Sequence, residues 1–139
     1  MNALSAGLTL QFVRGWQTPG AILAIVLVFA IGAVVAFWPA AYLARLVAGR
    51  RRFEVRFAAA LLALALLTIG CIAAIYAWDY RAYYAQWHAP FGSVTWGYQQ
   101  FFTTAAALYQ FAVLGMRLFF PLGFVALFAF AYWIARMPR

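Results

Sequence analysis

Hydrophobic residues in this chain occur in long unbroken runs, not in the alternating or helical pattern of a water-soluble domain. The first run covers residues 21–44 and the second covers residues 57–78, and neither contains a charged residue. At about 1.5 Å per residue, each run can cross the roughly 30 Å hydrocarbon core of a bilayer as one α-helix. The pattern therefore predicts transmembrane helices at both places.

A short basic hinge, residues 45–56, separates these two runs. Its arginines are half of those in the chain: Arg45, Arg50, Arg51, Arg52 and Arg56. A connection this short predicts that the flanking helices form an antiparallel hairpin. Because arginines collect on the cytoplasmic side of membrane proteins, we expect the hinge to be cytoplasmic and the N-terminus to lie outside.

The last third of the chain allows two interpretations, three transmembrane spans or four. Residues 94–116 and 118–135 are both uncharged, and Arg117 separates them. Three spans would place Arg136 and Arg139 on the same side as the hinge, and the C-terminus in the cytoplasm. Four spans would place these arginines outside, against the positive-inside rule. We therefore favour three spans and keep four as the alternative.

Outside the spans, the chain is expected to lie at the membrane surface. Residues 1–19 repeat apolar positions every three or four residues, which predicts a helix lying in the interface. Residues 79–117 interleave tyrosine and tryptophan with a few polar groups, as expected of an outer segment at the headgroup level. The third span then occupies residues 118–136. The predicted fold is a single all-α integral membrane domain of three transmembrane helices plus interfacial helical segments.

The composition agrees with this interpretation. Of the 139 residues, 69% are hydrophobic and 9% are charged, whereas a soluble domain has roughly 45–50% apolar and about 25% charged residues. The net charge of +8 comes from arginines at the ends of apolar runs, so it indicates topology and not a nucleic-acid partner. The absence of lysine and the abundance of alanine are typical of a GC-rich bacterial genome. The predicted location is the bacterial inner membrane.

The residue types that membrane enzymes commonly use are scarce. The chain has a single cysteine, Cys71, and a single histidine, His88, and its acidic side chains are Glu54 and Asp79. These residues supply neither a metal cluster nor a pair of haem-binding histidines, and no phosphate-binding loop or nucleophile motif occurs. We therefore expect no enzymatic activity, no catalytic residue and no metal. Bound lipid is expected, and contact with a quinone or pigment is left open.

Three groups of residues are candidates for interactions. The first is a stripe of small residues that would let another helix approach closely: Gly32, Ala36, Ala40 and Ala44. The second comprises polar groups in or beside apolar sequence: Asp79, Arg81, His88 and Arg117. The third is an aromatic ridge at helical spacing, suited to lipid, a quinone, a pigment or a neighbouring helix: Phe120, Phe124 and Phe128.

By elimination, these features predict a non-catalytic accessory or scaffold subunit of a larger bacterial inner-membrane complex. Its partners would be other membrane subunits and lipid, and a hetero-oligomer is favoured over a homo-oligomer. The alternative is a small homo-oligomeric transport or pore-forming protein. Holin-like pores of phage lysis have a similar size, span number and basic tail.

Overall fold

The computed structural model describes residues 1–13 and 19–137, which are helical apart from short connections. Its α-helices are α1 (Asn2–Leu8), α2 (Pro19–Ala48), α3 (Phe53–Tyr84), α4 (Val94–Gln110) and α5 (Leu122–Arg136). A π-helical turn follows α1 (Thr9–Val13), and a 3-10 turn follows α3 (Ala85–Trp87). A π-helical turn (Phe111–Gly115) and a 3-10 turn (Met116–Phe119) join α4 to α5. The all-α prediction is confirmed for the described part of the chain.

Helices α2 and α3 form the antiparallel hairpin that the two apolar runs predict. Both are longer than predicted, with 30 residues in α2 and 32 in α3, or about 45 and 48 Å of helix. Small side chains occupy their contact near the hinge, where Ala40 and Ala44 of α2 are buried in one cluster with Ala60 and Ala63 of α3. Because these side chains are small, the two backbones lie close together.

The chain from Val94 to Met137 runs once along α3, antiparallel to it. Near the start of this path, Gln100 accepts a hydrogen bond from Arg81 close to the C-terminal end of α3. At its end, the carbonyl oxygen of Met137 accepts a hydrogen bond from Arg56, close to the N-terminal end of α3. From α2 onward, the described chain therefore passes along the bundle three times and ends beside the basic hinge. That path agrees with three spans and not with four.

The third pass is divided differently from the prediction. The helix expected at 118–136 begins only at Leu122 and has 15 residues, about 22 Å, which is shorter than a hydrocarbon core. The long apolar segment is instead Val94–Phe119, which the sequence analysis assigned mostly to the outer surface. The physical reason is Pro121, whose ring cannot continue the preceding helix. The break therefore falls after residue 119, and Arg117 lies within the apolar segment.

One face of the N-terminal segment packs against the bundle, whereas Leu4 and Leu8 remain exposed. The position of this segment at the membrane interface stays a prediction. Ala6 and Leu10 are buried in a core cluster with Phe29 of α2 and with Phe119. An apolar repeat of this kind predicts a buried face, but it does not distinguish lipid from protein as the neighbour. Residues 14–18 of the predicted segment, and Arg139 at the other end of the chain, lie outside the described residues.

Within the described residues, three segments are long and apolar enough to cross a membrane: Gly20–Ala48, Phe53–Trp87 and Val94–Phe119. Their outward positions carry many large, exposed hydrophobic side chains. A soluble monomer rarely exposes contiguous apolar surface on this scale. Together these features indicate a multi-pass membrane protein.

Candidate functional site

The largest group of connected polar side chains lies where the end of α3 meets α4. The Nε of Arg81 donates to Oε1 of Gln100 at 2.7 Å, and Nε2 of Gln100 lies 3.0 Å from Nδ1 of His88. The other ring nitrogen of His88 lies 3.2 Å from Oγ1 of Thr103, which itself donates to the carbonyl oxygen of Gln99 at 2.5 Å. These contacts form one continuous chain of hydrogen bonds between the two helices.

The order of donors in this chain assigns the tautomer of His88. The carbonyl oxygen of Gln100 faces Arg81, so its NH₂ group faces Nδ1, which therefore accepts. The hydroxyl proton of Thr103 is used on the backbone, so Nε2 of His88 donates to that oxygen. These partners thus fit a ring that donates through Nε2 and accepts at Nδ1. Both ring nitrogens are occupied by side chains of α4, so neither is free to bind a ligand.

A second polar contact lies further along the same two helices. The hydroxyl of Tyr76 donates to Oε1 of Gln110 at 3.0 Å, and Nε2 of Gln110 lies 3.5 Å from the hydroxyl oxygen of Tyr80. We call both sets together the α3–α4 polar seam: Tyr76, Tyr80, Arg81, His88, Gln99, Gln100, Thr103 and Gln110. Hydrogen bonds between helices of this kind also stabilise helix association inside membranes.

The connection at residues 88–93 fixes the register of the seam. The backbone N–H of Ala89 donates to Oε1 of Gln99 at 2.7 Å. This hydrogen bond links the segment that follows α3 to α4. The hydroxyl of Ser93 caps α4 by accepting from the backbone N–H of Trp96 at 3.1 Å. A serine at this position satisfies one of the free donors at a helix start. Hydrogen bonds therefore join α4 to the connection at residues 88–93 as well as to α3.

Helix α4 carries its polar face inward and its aromatic face outward. Gln100, Thr103 and Gln110 share one side of the helix and meet α3. The aromatic face of α4 consists of residues that are 64–70% exposed: Tyr98, Phe101, Phe102 and Tyr109. This polarity is the reverse of that of a surface helix in a soluble protein. The outward face of α4 therefore requires lipid or a protein partner as its neighbour.

A cavity of about 190 Å³ lies beside the seam, between α2, α3 and the turns that follow α4. Apolar side chains form most of its wall, including Leu10, Ile25, Phe29, Ile72, Phe111 and Leu118. Tyr76 and Asp79 also line it and stand almost one turn apart on α3, so they share a face of that helix. An apolar protein cavity of ~150 Å³ is large enough for benzene, so this cavity can hold a ring or a short hydrocarbon segment.

Asp79 and Arg81, two of the polar candidates for interactions, have separate surroundings. Their side chains point about 200° apart because they are two residues apart on a helix. Arg81 joins the seam through Gln100, whereas Asp79 is exposed and lines the cavity. The structure therefore does not bring the two together.

The small-residue stripe is used inside the chain. Ala36 and Ala40 are fully buried, and Ala44 is nearly so. At Gly32, an added Cβ atom would lie 3.1 Å from the Cα atom of Ile72 and would overlap that side chain. The close helix approach that the stripe predicts does occur, but the helix that approaches is α3 of the same chain. These positions are therefore not free to bind another subunit.

Arg117 and the aromatic ridge lie on the outside of the bundle. Arg117 is exposed, and its carbonyl oxygen accepts a hydrogen bond from the N–H of Phe120 at 3.2 Å. Phe120, Phe124 and Phe128 are exposed as well, although Phe128 also lies beside Phe57, with 6.4 Å between ring centroids. Their contact with lipid, a ligand or a neighbouring helix stays a prediction.

The uncharged polar residues of α4 were not among the residues predicted to interact. Gln100, Thr103 and Gln110 recur at helical spacing, which places them on one face and offered a detectable signal. The prediction for residues 94–116 rests on their lack of charge. Charge alone does not reveal neutral side chains that form hydrogen bonds. Tyr76 was not predicted to have a polar partner, because Gln110 is distant in sequence.

No family model, curated protein or solved structure matches the chain. Within residues 1–13 and 19–137, no three His, Cys, Asp or Glu side chains are grouped so that they could hold a metal ion. The function is therefore inferred from the polar seam, the cavity and the exposed faces of the helices.

Proposed function

We propose that the protein is a non-catalytic accessory or scaffold subunit of a larger bacterial inner-membrane complex. The observation that carries this proposal is the aromatic face of α4, which points away from the bundle while the polar side chains of the same helix bind α3. Aromatic residues are enriched in protein–protein interfaces. Association of helices in lipid depends on close packing, because lipid already satisfies apolar surface. An aromatic face that points outward can pack closely against a helix of another subunit.

The proposed orientation rests on the cluster of arginines at the hinge end of the bundle. There, Arg56 donates to the carbonyl oxygen of Met137 at 2.7 Å, and Arg45 contacts the sulfur of Met137. The exposed arginines at positions 50–52 lie in the loop at the same end. By the positive-inside rule, this end supports a cytoplasmic hinge and a cytoplasmic C-terminal end. The α3–α4 connection would then face outward.

A homo-oligomeric pore is the competing function, and the surface chemistry does not favour it. A water-filled path through a membrane needs a polar or charged lining. The large exposed side chains in the first half of α2 are apolar: Leu23, Leu27, Ile31, Val34 and Val35. On α4 the side chains of Gln100 and Gln110 are already bound to α3. Lipid or a protein partner suits such surfaces better than water.

Purification from the native membrane followed by mass spectrometry tests the proposed function. We expect other membrane proteins to co-purify in constant ratio with the wild-type chain. The double variant Phe101→Ala/Phe102→Ala should lose those partners while keeping its helical content. The control is Leu62→Ala/Leu66→Ala on α3, where the replaced side chains are 62% and 71% exposed, and it should retain them.

Recovery of the wild-type chain as a lone monomer would contradict the proposal, and so would equal loss of partners from both double variants. Expression of the chain alone provides a second discriminator. Depolarisation of the membrane by a homo-oligomer would favour the pore, whereas an unchanged membrane potential is expected of an accessory subunit.

A further inference from the structure

We propose that the cavity between α2, α3 and the turns after α4 is a binding site for a lipophilic amine. The apolar part of the ligand would occupy the cavity, and its ammonium group would lie against Tyr76 and Asp79. Two sources supply this chemistry, a free amine and the ethanolamine headgroup of a phospholipid. This site goes beyond the proposed accessory role and does not depend on it.

The wall of the cavity favours an apolar group over water. Most of its lining comes from aliphatic and phenyl side chains, and Phe29, Ile72 and Phe111 are themselves buried. An ordered water needs two to four polar partners, which such a wall does not supply. A ring or hydrocarbon segment gains free energy by leaving water for this space. The apolar part of a ligand therefore belongs here.

The two polar residues of the cavity favour a ligand that donates hydrogen bonds. The proton of the Tyr76 hydroxyl is given to Oε1 of Gln110 at 3.0 Å, so its oxygen offers the ligand a lone pair. Asp79 offers carboxylate oxygens, which accept hydrogen bonds. An ammonium group supplies three donors together with a charge opposite to that of Asp79. Among the described residues of the cavity, these two side chains therefore favour a ligand that is positively charged and donates hydrogen bonds.

The hydrogen-bonding groups of Tyr76 and Asp79 also favour an amine over a quinone, a possible ligand that the sequence left open. A quinone head presents carbonyl oxygens, which are acceptors. Placed beside Tyr76 and Asp79, it would meet two further acceptors and gain no hydrogen bond. The charge of Asp79 would add no attraction, because the quinone is neutral. The cavity therefore fits an ammonium compound better than a quinone.

Titration of the full chain in detergent with 2-phenylethylamine tests the site, with 2-phenylethanol as the neutral comparison and ligand-observed NMR as the readout. We expect the amine to bind at least about tenfold more tightly than the alcohol, a ratio that corresponds to one charge-assisted hydrogen bond. Asp79→Asn should remove this preference. Glu54→Gln, which removes the same charge in the first turn of α3, should leave it intact. Val28→Phe places a larger side chain in the cavity wall and should weaken the binding of both compounds.

Discs of phosphatidylcholine with or without phosphatidylethanolamine distinguish the two sources. Competition of the ethanolamine lipid with 2-phenylethylamine, lost in Asp79→Asn, would identify a lipid headgroup as the ligand. Amine binding unaffected by that lipid would identify a free amine. Equal affinities for the amine and the alcohol, an unchanged preference in Asp79→Asn, or no saturable binding in the folded wild-type protein would overturn the proposal.

Discussion

Gly32→Leu is expected to destabilise the protein by about 3 kcal/mol, the upper part of the range for overpacked interiors. A Cβ atom at position 32 would lie 3.1 Å from the backbone N and Cα atoms of Ile72. Backbone atoms in the middle of a long helix cannot move aside singly, so α2 and α3 would have to separate. Because lipid already satisfies apolar surface, the packing lost along the hairpin would not be recovered elsewhere.

The measurement is unfolding of the purified protein in mixed micelles by increasing SDS, followed by circular dichroism. Gly70→Leu is the matched control, since a Cβ atom there meets nothing within 4 Å, and its midpoint should stay the same or rise. Ala40→Leu, at a fully buried position, should behave like Gly32→Leu. Equal midpoints for the Gly32 and Gly70 variants would show that the close approach of α2 and α3 is incorrect.

Gln100→Leu is expected to cost about 2 kcal/mol, because it removes the amide that joins Arg81 to His88. The substitution leaves the Nε of Arg81 and the Nδ1 of His88 without their partner at once. An unsatisfied buried polar group costs roughly 1–3 kcal/mol. Both side chains are only partly buried, so renewed access to water keeps the expected loss below the sum of two such penalties.

The control is Gln86→Leu, which removes an exposed glutamine whose Nε2 donates to the carbonyl oxygen of Tyr83 and should cost little. His88 is the only histidine, so ¹⁵N NMR reports its tautomer as a single pair of signals. The wild type should show the proton on Nε2, and Gln100→Leu should lose that fixed assignment. Equal stability of the two glutamine variants, together with an unchanged histidine signal, would show that the seam does not hold α4 to α3.

The first half of the bundle could be predicted because charge and hydrophobicity change at the same places. Uncharged runs flanked by arginines specify the α2–α3 hairpin, and the short hinge specifies its antiparallel direction. The helices extend further than the runs because residues such as Arg45 and Asp79 end an apolar segment without ending a helix. Hydrophobicity marks the part that suits lipid, whereas backbone hydrogen bonding sets the length of the helix.

The third pass could not be divided correctly from its charges. The charge of Arg117 predicts the outer boundary of a span, but a long side chain can reach polar surroundings from within an apolar segment. Pro121 marks the real interruption of the helix. The end of the path beside Arg56 was still predictable, because Arg136 follows the general preference of arginines for one side.

The placement of the N-terminal segment and of α4 depends on which neighbour covers each face. Asn2 and Ser5 are polar, yet they are buried, and Asn2 Oδ1 and Ser5 Oγ lack a hydrogen-bond partner within the described residues. No local pattern predicts such burial, since polar side chains normally stay solvated or paired. For α4, spacing alone predicts a polar face at Gln100 and Gln110, but only the fold shows that this face meets α3.

Accessibility of single cysteines tests the three-pass bundle most directly. After Cys71→Ser, the variants Arg51→Cys, Ser93→Cys and Met137→Cys are treated with an impermeant thiol reagent in intact spheroplasts and again after lysis. We expect position 93 to react at once, and positions 51 and 137 to react only after lysis, since both lie at the basic end of the bundle. Labelling at 137 with protection at 51 would mean four crossings and would contradict the structure described above.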